Sequence, residues 1–94
     1  MMKILPVGVA VIEGDTHIGK WVEEHGSLAI AEKMLAPFSK YVPSDSTVID
    51  VGANIGDHTV TYAEWVGSGG SVIAIEPVPE IFDCLCFNMK GKSH

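Results

Sequence analysis

Cysteines, basic residues and long apolar runs are all scarce in this chain of 94 residues, and each scarcity closes off a class of function. The two cysteines, Cys84 and Cys86, lie two apart in a segment that reads as helix. Side chains so spaced point to nearly opposite sides, so the pair can form neither a mutual disulfide nor half of a zinc site. Reduced thiols are expected, no metal site is expected, and a cytoplasmic location follows from that cysteine usage. Six basic residues stand against twelve acids, for a net charge of −6. With no local basic patch, such a surface has little attraction for phosphate backbones, and nucleic acid is not an expected partner. The longest apolar stretch, residues 4–12, is too short to span a bilayer and is interrupted by Pro6 and Gly8. It also makes a poor signal peptide, having one lysine, no small-residue cleavage pattern and Glu13-Gly14-Asp15 directly behind it. No membrane association is expected. There is no internal repeat and no low-complexity segment.

What is present is a globular composition, 47% hydrophobic and 19% charged, in a length suited to one small domain. Such a domain buries roughly 60–65% of the surface its unfolded chain exposes. The informative run is Val48-Ile49-Asp50-Val51-Gly52-Ala53-Asn54-Ile55-Gly56-Asp57, followed twenty residues after Gly56 by Glu76 at the end of a second apolar run. This reads as a strand, a glycine-paired turn, a helix and a second strand ending in a carboxylate. A βαβ unit of that kind sets backbone N–H groups and a helix N-terminus beside one end of a nucleotide-like ligand and a hydrogen-bond acceptor beside its ribose. The ligand indicated is an adenosine derivative. The dinucleotide fingerprint asks for glycine where Asn54 and Asp57 stand, and an acidic side chain there would repel a pyrophosphate. A dehydrogenase-like nucleotide domain is thereby disfavoured.

The surviving pattern, D-x-G-x-x-x-G, resembles the S-adenosylmethionine-dependent class I methyltransferases. Within them V-I-D-V-G-A-N-I-G-D-H-T followed by V-I-A-I-E-P-V-P is similar to the FkbM-type family, from about Thr47 to Met89. The resemblance implies an α/β, Rossmann-like methyltransferase fold with a parallel sheet flanked by helices. It also implies S-adenosylmethionine as cofactor and methyl transfer to a hydroxyl of a small-molecule or sugar acceptor. It further implies that Asp50 helps to hold the amino group of the methionine moiety. A cationic sulfonium with a zwitterionic amino acid suits a loop containing a carboxylate. Gly52 and Gly56, with Ala53 between them, let the main chain approach the ligand and turn sharply. Glu76 can accept both ribose hydroxyls. The N–H groups around Asn54 and Ile55 can face the methionine carboxylate. The expected cofactor set is therefore Asp50, Gly52, Ala53, Asn54, Ile55, Gly56 and Glu76.

Blander readings stand beside these. Glycines after a strand can mark a tight turn and nothing more, and Asp57 reads as an acid favoured by the dipole of the first helical turn. His58 reads as a solvated helix residue, and no residue is nominated as general base.

Two segments are expected: residues 1–45, an N-terminal strand and helical lead-in, and residues 46–94, the first βαβα unit of a cofactor-binding domain. In the lead-in, residues 4–12 read as one strand that Pro6 confines to an edge or a strand start. Asp15 or Thr16 can cap a helix carrying Ile18, Trp21 and Val22 on one face and closed by Gly26. Ser27 can cap the next helix, with Leu28, Ala31, Leu35 and Phe38 at helical spacing. Simple cover for a sheet face is the preferred role of both helices. A turn at 43–45 then leads into the strand Thr47–Val51. On the following helix Ile55, Thr59, Tyr62 and Val66 line one face, with Trp65 close to it. Residues 67–70 make a flexible end to it. Residues 71–76 form a strand apolar on both faces, as a buried parallel strand is. A last helix carries Phe82, Leu85, Cys86 and Met89 on one side as core, and residues 91–94 read as an ending or a scar.

A complete class I methyltransferase sheet has about seven strands, so the expected molecule is a truncated α/β domain holding the amino-terminal cofactor half-site. By itself it is expected to be catalytically inactive. In the family layout Thr47–Val51 pairs on its far side with a strand absent from this sequence, so a homo-oligomer through the open sheet edge is expected. The remaining alternative is a non-catalytic interaction module built on the same core.

Overall fold

The computed structural model describes residues 1–90. Its elements run in the order β1 (Met2–Ile4), β2 (Ala10–Ile12), α1 (Ile18–His25), α2 (Glu32–Leu35), a 3₁₀ helix (Ala36–Tyr41), β3 (Thr47–Val51), α3 (Thr59–Val66), β4 (Ser71–Ile75) and α4 (Pro79–Met89). Two two-stranded sheets result, β1–β2 antiparallel and β3–β4 parallel. The second sheet with its flanking helices is the α/β, Rossmann-like arrangement that the sequence pattern implied.

The opening segment is a hairpin rather than one strand. Pro6 supplies no amide donor, and Gly8 takes a left-handed backbone at φ 85°. Leu5 and Val9 close the turn with N–H to carbonyl bonds of 2.8 Å from Leu5 to Val9 and from Gly8 to Leu5. Residues 4–12 therefore fold back on themselves and pair Ile4 with Ala10. Strand β1 is exposed, whereas Ala10 and Val11 of β2 are buried.

Helix α1 begins where an acid can serve it. The Asp15 carboxylate accepts the N–H groups of His17, just ahead of the helix, and of Gly19, in its first turn, at 2.9 Å each, so it satisfies one of the helix's orphan donors. Gly26, left-handed at φ 69°, ends it by donating to the Val22 carbonyl. Val22 is fully buried, Gly19 is buried beside it on the inward face and Ile18 packs against the same core, but Trp21 stands out in solvent. The next expected helix is shorter than its periodicity suggests. The Ser27 hydroxyl accepts the Ala29 N–H at 3.1 Å, but α2 proper starts at Glu32, and Pro37 converts its continuation to a 3₁₀ helix. Leu28, Ala31 and Leu35 are buried as their spacing predicts, and Phe38, carried round by the tighter winding, is exposed.

The parallel pair runs in register from Thr47 opposite Ser71 to Val51 opposite Ile75. Helix α3 connects the two strands and packs on both. The link at residues 67–70 is a held turn: Gly67 donates to Ala63, Gly70 donates to Gly67, and a Cβ at Gly70 would meet Val66 and the Ser46 carbonyl. Alternate residues face opposite sides of the sheet. Val48, Asp50, Val72 and Ala74 face inward, whereas Ile49, Val51, Ile73 and Ile75 are 63, 75, 51 and 47% exposed. The expectation that β4 is buried on both faces is not met: Ile73 and Ile75 are exposed, and Val72 and Ala74, on the other face, are only half-buried.

The largest buried cluster joins Leu5, Ala10, Val11, Val22, Leu28, Ile55 and Cys84, so the hairpin, α1, the loop after β3 and α4 meet in one core. Cys84 is fully buried within it, and burial pushes its thiol up from the ordinary value; Cys86 is exposed, and both are free. The cysteine-bearing stripe of α4 is divided. Leu85 is buried, while Phe82 and Cys86 flank a shallow apolar groove of about 190 Å³ against Val72 and Ala74. Residues 91–94 lie outside the described residues. Among the described residues no helix is long and apolar enough to cross a membrane.

One side chain fastens this core. Asn88 accepts the Ala10 N–H at 2.7 Å and donates to the carbonyls of Ala10 at 2.9 Å and Ile55 at 2.8 Å. It pairs with the free edge of β2 as a neighbouring strand would, and it ties that edge to the loop after β3. Asn88→Ala leaves those backbone groups without partners, and urea titration should register a loss of about 2–4 kcal/mol. A loss below about 1 kcal/mol would show that water replaces the amide without penalty.

Candidate functional site

The loop 52–56 leaves β3 through Gly52, left-handed at φ 75°. The N–H groups of Gly52 and Ala53 both donate to the Ile75 carbonyl, at 2.8 and 3.0 Å, clamping the loop to the end of β4. Asn54 is also left-handed, at φ 55°, a conformation asparagine tolerates better than most side chains. Its N–H donates to Glu76 Oε1 at 2.9 Å, and Glu76 Oε2 accepts the Val78 N–H at 3.1 Å. The Glu76 carboxylate is therefore a strap between the loop and the entry to α4. It sits one residue past β4, which ends at Ile75. Each oxygen holds one N–H and keeps acceptor capacity for a further donor.

The other expected residues divide by role. Ala53 and Ile55 are buried, so each can offer a ligand only its backbone. Gly56, at φ 103°, donates to the Ala53 carbonyl at 3.0 Å. A Cβ there would lie 3.3 Å from both Leu85 Cδ1 and Met89 Sδ, so the close approach Gly56 permits is to α4. Asp50 is buried, and its Oδ2 accepts the Thr59 hydroxyl at 2.6 Å, which ties the end of β3 to the first residue of α3. The N–H of Asn54, expected to face a methionine carboxylate, is engaged by Glu76 instead. The structure thus brings Asn54 and Glu76 into contact and sets Asp50 at the other end of the loop, turned toward α3.

Asp57 and His58 occupy places different from those expected. Helix α3 starts at Thr59, two residues later than the pattern after Gly56 suggests, so Asp57 precedes the first turn instead of lying in it. Asp57 is only 6% exposed. Burial raises its carboxyl above the usual range, its own backbone N–H and then His58 oppose that rise, and the Asp50 charge adds to it. His58 Nε2 lies 3.7 Å from Asp57 Oδ2, and its ring meets Tyr62 edge-on with centroids 6.3 Å apart. Tyr62 tilts against Trp65 at 5.6 Å. Burial, followed by the charges of Asp50 and Asp57, raises the Tyr62 phenol. Among the described residues no three His, Cys, Asp or Glu side chains could together hold a metal ion. Asn88 escaped sequence reasoning, and Thr59, expected only as part of a helical face, was not foreseen as the partner of Asp50. Neither carries a local signal, because their partners lie 9, 33 and 78 positions away.

Residues 50–93 match the family model described as the methyltransferase FkbM domain. The match begins at Asp50 and takes in the glycine loop, Glu76 and α4, so this segment is similar to the FkbM methyltransferase domain, consistent with the resemblance its residues carry. Neither a curated protein nor a solved structure matches the chain.

The buried Asp57 gives a pH test. Its folded carboxyl titrates above the unfolded one, so ionisation penalises the native state. The penalty is full above the raised value, where both states are charged, and vanishes below about 3.8, where both are protonated. Asp57→Asn should therefore raise the melting temperature at neutral pH, with the gain fading as pH falls toward 3.8. Thermal scans across that range decide it, and a variant less stable than the parent at neutral pH would show that the Asp57 charge is compensated.

Proposed function

We propose that this chain carries the cofactor half-site of an S-adenosylmethionine-dependent methyltransferase that transfers methyl to a hydroxyl of a small molecule or sugar. The observation that carries this reading is the Glu76 carboxylate, anchored by Asn54 and Val78 at the mouth of the glycine loop, inside the segment that matches the FkbM domain. Glu76 takes the two ribose hydroxyls, and Asp50 serves the amino group of the methionine moiety. Gly52 and Ala53 fix the main chain beside the ligand, and Asn54, Ile55 and Gly56 complete the loop. The cofactor brings the electrophilic sulfonium methyl. The protein's part is to bind and orient it, and an acceptor oxygen placed in line gains most of its acceleration from proximity. Two unpaired thiols suit work in the cytoplasm.

Calorimetry with S-adenosylhomocysteine tests the assignment. Removing a charged acceptor that holds both ribose hydroxyls costs roughly 1.5–3 kcal/mol, so Glu76→Ala should weaken binding about tenfold or more. Unchanged affinity removes Glu76 from the site.

A second reading, an assembly module built on the same core, draws on the bare face of the parallel sheet. Ile49, Val51, Ile73 and Ile75 stand there in adjacent registered pairs, and β3 has only β4 as a hydrogen-bonded neighbour among the described residues. An apolar face next to an unpaired strand edge drives association more strongly than a diffuse net charge, screened beyond about 8–10 Å, opposes it. We propose that the chain forms homo-oligomers through this edge. Size exclusion with light scattering should give a mass of at least twice 10.0 kDa at micromolar protein. A stable, folded monomer would overturn the oligomer.

A further inference from the structure

The strand edges of the two sheets are not equally open. The edge of β2 is closed by the Asn88 amide, and β1 is a short strand with Lys3 at its centre, a charge that discourages pairing. In the parallel sheet the Ser71 N–H donates to the Ser46 carbonyl at 3.0 Å, and the Gly52 N–H donates to the Ile75 carbonyl at 2.8 Å. Successive residues of a strand turn their N–H and C=O groups to alternate edges. Val48 and Asp50 therefore turn theirs to β4, whereas Thr47, Ile49 and Val51 turn theirs to the far side. By the same alternation β4 turns only Val72 and Ala74 outward. Among the described residues the β3 edge is thus the most open, and Thr47, Ile49 and Val51 are all exposed along it. A groove of about 600 Å³ follows residues 48–51, walled by Phe38 and Tyr41 of the 3₁₀ helix and by Tyr62 and Trp65 of α3. Asp50, the one charged side chain of the strand, faces α3 and holds the Thr59 hydroxyl, so β3 puts no charge on the exposed face.

We propose that β3 pairs with β3 of a second copy, antiparallel about a two-fold axis that passes beside Ile49. This pairing rests on the homo-oligomer reading, is independent of the cofactor reading, and adds the strand, its direction and its register. The outward groups are spaced evenly on either side of Ile49, so the strand is complementary to itself. Ile49 exchanges both hydrogen bonds with the partner's Ile49, Thr47 with the partner's Val51, and Val51 with the partner's Thr47. Sliding the pair in either direction leaves outward groups at both ends without partners, so the register centred on Ile49 is the one that satisfies them all. The axis is perpendicular to the joint sheet, and both copies therefore carry α3 on the same side. Tyr62 and Trp65 of each copy then line the space between the two helices. On the opposite side Ile49, Val51, Ile73 and Ile75 of both copies run together as one apolar face. A foreign strand could bond the same backbone groups, but a second copy also matches the length of the edge and the aromatic walls of the groove. The two glycine loops lie at opposite ends of the joint sheet, each beside the partner's Thr47.

Sedimentation equilibrium on the whole chain and three variants tests the register. In Thr47→Lys with Val51→Lys, lysine stands opposite lysine at both ends of the pair, and the dissociation constant should rise at least about tenfold, although two added positive charges reduce the overall repulsion between chains of net charge −6. Thr47→Glu with Val51→Lys changes the same two exposed positions but sets each glutamate opposite a lysine of the partner, and should associate within about threefold of the parent. Ile49→Pro removes the N–H at the axis, a group that gives nothing to β4, and should yield a monomer of 10.0 kDa with the far-ultraviolet circular dichroism of the parent. The two charged variants keep every backbone group and decide the register without the proline. A parent that stays monomeric overturns both the pairing and the homo-oligomer reading. If the parent associates and both charged variants weaken it equally, the antiparallel register is wrong. If it associates and none of the three variants changes the constant, the chains join through another surface, so the β3 pairing falls and the homo-oligomer reading stands.

Discussion

The Glu76 carboxylate, shared between the N–H groups of Asn54 and Val78, is the contact on which the arrangement of the site depends. Asn54 is held in a left-handed conformation within a part-buried loop, and its N–H needs a partner away from bulk water. A carboxylate supplies a charge-assisted bond, stronger than a neutral acceptor gives. The same group fixes the first residues of α4, and α4 in turn packs Cys84 and Leu85 into the core and presents Asn88 to the hairpin. Loop geometry, helix entry and hairpin docking are thus connected through one side chain that retains free lone pairs for a ligand.

The carboxylates around the loop have separate environments. Glu76 accepts from backbone on both oxygens, Asp50 accepts from the Thr59 hydroxyl, and Asp57 is buried with little beyond its own backbone N–H and a distant imidazole. Burial without full compensation raises the Asp57 carboxyl above its ordinary value. The parallel sheet has a comparable asymmetry. Its inner face packs on α3 and shares an apolar groove with α4, while its outer face carries four aliphatic side chains in water. Apolar area of that extent favours whatever next covers it.

Much of the central unit was legible in the sequence because its determinants are local. Thr47–Val51 was recovered residue for residue, and β4 to within one residue, since apolar runs bounded by glycine and proline leave few alternatives. The left-handed cap at Gly26 followed from the chemistry of helix ends, whereas at the other end His17 takes the cap position and Asp15 serves the first turn from two residues further out. The lead-in was harder. Residues 4–12 have the hydropathy of one strand, but the backbone limits of Pro6 and Gly8 outweigh it, and Pro37 similarly outweighs the helical spacing from Leu28 to Phe38. In each case a strict dihedral preference defeated a pattern that rests on burial.

The sequence by itself determined that a βαβ unit would form, where its glycine loop would fall and that Glu76 would stand at the end of the second strand, because period, turn residues and strand ends are set within a few positions of one another. Tertiary structure alone decided that Glu76 would strap Asn54 to Val78, that Asp57 would be buried ahead of its helix, that Thr59 would hold Asp50 and that Asn88 would close the edge of β2. Apart from the Glu76–Val78 bond, those pairings join residues 9 to 78 positions apart. Hydrogen-bond satisfaction on burial acts between whichever groups the folded chain brings together, and no local pattern encodes which groups those will be.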